Sequence, residues 1–199
     1  ETVSPDFLRQ SLLKRQADSA PPVAKIMGEF LWEKSLPQIA DWTKSGGALG
    51  KEKAKHALSA APTLAALTQT REPMLKILRD SSADPELRHQ LALKIGISST
   101  DEDVDALLKE REQAKDAQTR LLLSAAVFAS GSLKALPLLT QFAQENPDPR
   151  SRAGALFQLK EMLPLEQYRP LLEWAAKNEA DPENKEEAQR QLKLLGQKK

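Results

Sequence analysis

The chain has no cysteine. That removes disulfides, thiolate zinc sites and thiol nucleophiles at once. It leaves the compartment open, because cytosolic and exported proteins both tolerate the absence. Glycine is scarce, at 8 of 199 residues, and aromatics reach only 5%. β-Branched residues are few, while Leu, Ala, Lys, Glu and Gln dominate, so the composition leans to helix. No run of about 18 apolar residues occurs, so nothing in the sequence reads as a membrane-spanning helix. An excess of one charge is missing too. The formal net charge is +1, and residues 1–60, 61–130 and 131–199 carry about +2, −2 and +1. No stretch is basic enough for a phosphate-binding stripe, which disfavours nucleic acid.

What is present is a chain with 40% hydrophobic and 29% charged residues. That balance suits a folded domain of ordinary to large size and is too apolar for disorder. The first residue is Glu1 rather than Met. Signal cleavage, other processing or an upstream cut would each account for that, and the expectation drawn from it is an exported (periplasmic or secreted) protein, with the cytoplasm as alternative.

The second half of the sequence repeats with a period of 32 residues, with one extra residue before the last copy. Pro73-Met74-Leu75 recurs as Asp105-Ala106-Leu107, Pro137-Leu138-Leu139 and Pro170-Leu171-Leu172. Later in each copy comes an aspartate: Asp84, Asp116, Asp148 and Asp181. One helical turn beyond it stands a cation: Arg88, Arg120, Arg152 and Lys185. Leu91, Leu123, Ala155 and Ala188 align as well, as do Ile95, Val127, Leu159 and Leu192. Three of the aspartates precede proline, which pairs an N-cap acceptor with the one helical position where a missing N–H costs nothing. Each unit therefore reads as two helices joined by a short turn. One such hairpin cannot bury its apolar face alone, and stacking solves this.

A proline in the first helix, an aspartate in the turn and a basic residue in the second helix resemble the HEAT repeat. The best single copy is Ala135-Leu136-Pro137-Leu138-Leu139 followed by Asp148-Pro149-Arg150-Ser151-Arg152-Ala153. The resemblance covers residues 62–196, and 23–60 more weakly. It implies an all-α fold: a right-handed α-α superhelix (a HEAT-like solenoid) of about five helical pairs in a single domain. It also implies structural roles for the aspartates and cations, as ladders between neighbouring repeats. Asp105 in place of proline and Lys185 in place of arginine depart from the pattern.

Residues 1–61 form a degenerate N-terminal helical region. Ser4-Pro5-Asp6 caps a helix carrying Phe7, Leu8, Leu12 and Leu13, ended by Pro21-Pro22. A second helix places Val23, Ile26, Met27, Phe30 and Leu31 on one face, and Pro37 kinks or breaks it. A flexible connector is expected over 45–50, then a helix over Lys51–Ala61. Regular repeats follow over 62–196, and 197–199 form a frayed tail.

Chemical signatures are wanting. His56 and His89 lack metal-ligand spacing, and no Cys can complete a set. The acidic run Asp101-Glu102-Asp103, with Asp105, lacks the glycine and alternation of a calcium loop. Thr100 as N-cap, with acids in the first turn, explains it better. Gly46-Gly47-Ala48-Leu49-Gly50-Lys51 has the wrong spacing for a phosphate cradle. No catalytic residue, cofactor or metal site is expected. Trp32, Trp42 and Trp174 read first as core, and any exposed one becomes a partner-binding anchor. The resulting expectation is a non-catalytic, protein-binding scaffold or adaptor. The alternative is a nucleic-acid-binding HEAT-like protein similar to alkylpurine DNA glycosylases, although no residue-level match carries their sites across.

Overall fold

A computed structural model of the chain describes residues 32–45, 47–59 and 62–196. The helices expected over 1–31 and the tail 197–199 lie outside the described residues. Among those described there are eleven α-helices and no strand, so the described residues are all-α. No helix of the described residues is long and apolar enough to cross a membrane. Packing divides the chain into two compact units between Ser130 and Gly131, a finer division than the single domain read from the sequence.

In the first unit, α1 (Trp32–Ser45) packs against α2 (Gly47–Leu58). Pro37 lies inside α1 and does not end it. The connector expected over 45–50 is mostly helix, since α1 runs to Ser45 and α2 opens at Gly47. Gly47 takes φ 56°, the left-handed conformation that glycine adopts without strain. Gly50 serves packing instead. A Cβ there would stand 2.5 Å from the Trp42 carbonyl oxygen, so the two helices cross closely only because this residue has no side chain.

The short α3 (Leu64–Gln69) leads into two hairpins: α4 (Arg71–Arg79) with α5 (Pro85–Ile97), and α6 (Asp101–Gln113) with α7 (Ala117–Ala129). Within α5 the buried residues Leu87, Arg88, Leu91, Ala92, Ile95 and Gly96 recur at helical spacing. The acidic start of α6 is a helix cap: Thr100 Oγ1 accepts from the Asp103 N–H, and Asp103 accepts from the Thr100 N–H. Two further hairpins form the second unit: α8 (Leu136–Glu145) with α9 (Pro149–Met162), and α10 (Leu165–Asn178) with α11 (Pro182–Gly196).

The four aspartates share one role. Asp84, Asp116, Asp148 and Asp181 each accept a backbone N–H in the first turn of the helix that follows. The four cations share another, reaching back to a carbonyl near the end of the preceding helix. Arg88 donates to Leu78 O at 2.7 Å, Arg120 to Ala114 O at 3.4 Å, Arg152 to Asn146 O at 2.6 Å and Lys185 to Lys177 O at 3.2 Å. The conserved spacing along the chain thus clasps each hairpin shut. Arg88 and Arg152 also reach the next hairpin, donating to Thr119 Oγ1 and to the Glu179 carboxylate. The first helices add ties between hairpins, Arg71 to Asp103 and Arg79 to Glu110.

Candidate functional site

The three tryptophans do not form one site. Trp32 is 2% exposed, and its indole N–H donates to Thr70 Oγ1 at 3.0 Å. The Lys94 ammonium stands 5.1 Å from its ring centroid. Trp42 is 7% exposed, with Lys53 Nζ 6.0 Å from its ring. Both therefore belong to the core of the first unit and are not exposed anchors. Their large rings fill the crossing of α1 with its neighbours, where the chain gains most from burying them. Trp174, on α10 of the second unit, is partly exposed and remains accessible to a partner.

A better-formed site lies inside the second unit. In the first unit the second helices α5 and α7 pack along each other. A Cβ on Gly96 would collide with the Ala126 carbonyl and the Ala129 methyl, so three small residues permit that approach. The period places Lys160, Gln191 and Leu194 at the corresponding positions of α9 and α11. These side chains are larger than Gly96, Ala126 and Ala129. The two helices meet near their N-terminal ends, where Asn184 Nδ2 donates to Pro149 O at 2.8 Å, and do not pack closely beyond. A cleft opens between their C-terminal halves.

The cleft has a volume of about 540 Å³ and is lined by Lys160, Leu163, Leu165, Tyr168, Gln191, Leu194 and Leu195. A smaller hollow of about 200 Å³ shares Tyr168 and Gln191 with it and extends to Phe157. Tyr168, on α10, is buried and forms the floor. Its hydroxyl donates to Gln191 Oε1 at 3.4 Å, and Gln191 Nε2 donates to Glu187 at 2.8 Å. Burial, reinforced by the Glu187 charge, pushes the Tyr168 phenol up to about 12. Glu187 is held down to about 2, chiefly by hydrogen bonds from Arg190 and Gln191. The floor is thus a neutral donor beside a fixed ion pair, and the walls are leucine. Such a surface can bind apolar groups. It carries no nucleophile with an adjacent base.

None of these lining residues stands out in the sequence by type. The signal was available only by comparing copies: Gly96, Ala126 and Ala129 against Lys160, Gln191 and Leu194. No family model, no curated protein and no solved structure matches this chain.

Proposed function

We propose that this chain is a non-catalytic, HEAT-like helical-repeat protein that binds another protein through the outward faces of its second helices. One observation carries the reading. Positions 89, 93 and 97 lie one turn apart on α5, and the period maps them to 121, 125 and 129, to 153, 157 and 161, and to 186, 190 and 194. Every second helix exposes a large apolar side chain at one of these places. Ile97 and Phe157 are each 64% exposed, and Leu121 and Leu194 about half. Scattered exposed leucines need no explanation, but apolar exposure recurring in register within each unit favours contact with a partner.

The reading is tested with photo-reactive amino acids at Leu121 and Phe157 in the source cell. Protein binding expects a polypeptide to be cross-linked from at least one of these positions, and that cross-link to be lost when an exposed apolar neighbour in the same unit, Ile97 or Leu194, is replaced by glutamate. Recovery of nucleic acid instead, or of no macromolecule, would sink it.

A further inference from the structure

We propose that the cleft between α9 and α11 is a pocket for a small apolar carboxylate of the medium-chain fatty-acid class. The inference goes beyond protein binding; the two readings share Leu194, and titrating the chain alone with small ligands tests the cleft apart from any protein partner.

Its volume of about 540 Å³ falls within the roughly 300–1,000 Å³ of small-molecule sites. Leu163, Leu165, Leu194 and Leu195 supply the walls, and Leu165 and Leu194 are large apolar side chains left in solvent. An alkyl chain would remove that surface from water, which is favourable without any directional bond. A peptide strand fits less well. Its backbone N–H and C=O groups would need partners, and the cleft offers only Tyr168, Gln191 and Lys160. A helix, roughly 10–12 Å across with its side chains, would lie over the cleft and not in it.

The polar end of the ligand follows from charge. Lys160 is the one charged residue lining this cleft, and it is exposed. The nearby Glu187 carboxylate is already taken by two bonds from Arg190, each 2.7 Å, and one from Gln191. The Lys160 charge also helps to lower Glu187, without a direct ion pair between them, so an incoming carboxylate can pair with Lys160 without breaking a hydrogen bond of Glu187. At the floor, the 3.4 Å bond from the Tyr168 hydroxyl to Gln191 is long for an O–H···O contact, so that donor can re-aim toward a ligand.

Isothermal titration calorimetry of the full chain with decanoate, decanol and decyltrimethylammonium, each below its micelle concentration, tests the assignment. Decanoate is expected to bind one per chain, about tenfold or more tighter than decanol, as a charge-assisted contact implies. Lys160→Met should bring decanoate down to the decanol level and leave decanol unchanged. Leu194→Asp should abolish binding of all three, with helicity by circular dichroism unaltered in both variants. Equal decanoate affinity in the wild type and Lys160→Met, or no binding by any probe, overturns the proposal. So does a leucine-terminated peptide with a free carboxylate that displaces decanoate at lower concentration.

Discussion

Arg152 on α9 and Glu179 in the turn before α11 form a buried fork that ties one hairpin to the next. Arg152 Nε donates to Glu179 Oε2 at 2.9 Å and Nη2 to Oε1, while Nη1 clasps Asn146 O. The Glu179 side chain is 1% exposed and also accepts the Asp181 N–H at 3.0 Å. The guanidinium hydrogen bonds hold this carboxylate below its ordinary range, against the opposing effect of burial.

Removing one partner of such a pair strands a charge. Arg152→Met is expected to cost about 3–5 kcal/mol, because the buried Glu179 then loses its counter-charge and keeps only backbone hydrogen bonds such as that from the Asp181 N–H. The pH dependence reverses as well. In the wild type the folded-state value of Glu179 lies below the unfolded value of about 4.3. Its contribution is therefore complete above that range and lost as the pH falls through the folded value. In the variant the largest stabilising contact of the carboxylate is gone and only backbone hydrogen bonds, chiefly that from Asp181, oppose burial. The folded value therefore rises relative to wild type, and acidification should reduce the destabilisation. Chemical denaturation of wild type and Arg152→Met from neutral to acid pH measures both effects. A variant whose deficit grows on acidification would contradict this account.

Two glycines in second helices should respond to alanine with opposite signs. Gly154 on α9 has open space where a Cβ would stand, so Gly154→Ala should stabilise by about 0.5–1 kcal/mol through helix propensity alone. Gly96 has the same propensity to gain. There, however, a Cβ would collide with the Ala126 backbone carbonyl, which cannot rotate away as a side chain could. Overpacking of about 1–3 kcal/mol should outweigh the gain. Thermal unfolding of the two variants side by side decides it. Equal shifts would mean that α5 and α7 separate easily.

Capping should be the milder of the repeat's two devices. Asp84 accepts the N–H groups of Glu86 and Leu87 at 3.0 and 3.1 Å. Asp84→Ala should cost about 1 kcal/mol, and Asp84→Asn much less, because asparagine keeps the acceptor. Urea midpoints for the two variants make the comparison. An asparagine variant as weak as alanine would point to charge rather than to the cap.

The helix caps were legible because their signals are local. An Asp-Pro pair caps whatever helix follows, so Asp84 and Asp148 could be read as caps. The acidic start at Thr100 was legible for the same reason. Position relative to neighbours was not. The cations, expected as ladders between repeats, all clasp a carbonyl within their own hairpin, and only Arg88 and Arg152 also reach the next one. Gly50 looked like part of a loop, because its close approach to Trp42 depends on a helix crossing. Trp32 and Trp42 flank Pro37, and nothing in their spacing reveals that other helices cover them. The cleft was harder still: it lies where Lys160 and Gln191 stand at the positions of the small Gly96 and Ala126, and no single residue type marks it.

What opens the cleft can itself be tested. If bulk at three positions holds α9 and α11 apart, then Lys160→Ala, Gln191→Ala and Leu194→Ala together recreate the small-residue contact of Gly96, Ala126 and Ala129. The helices should then approach the roughly 8 Å separation of closely packed pairs. Spin labels at the exposed residues Glu161 on α9 and Lys193 on α11, with their distance measured by double electron–electron resonance, report the closure. The triple variant should shorten the distance and narrow its distribution, because a packed interface admits fewer arrangements than an open cleft. Each single substitution should do less, since any one remaining large side chain still blocks contact. An unchanged distance in the triple variant would mean that α10, with Tyr168 wedged beneath both helices, sets the opening instead. Tyr168→Ala would then be the substitution that closes it.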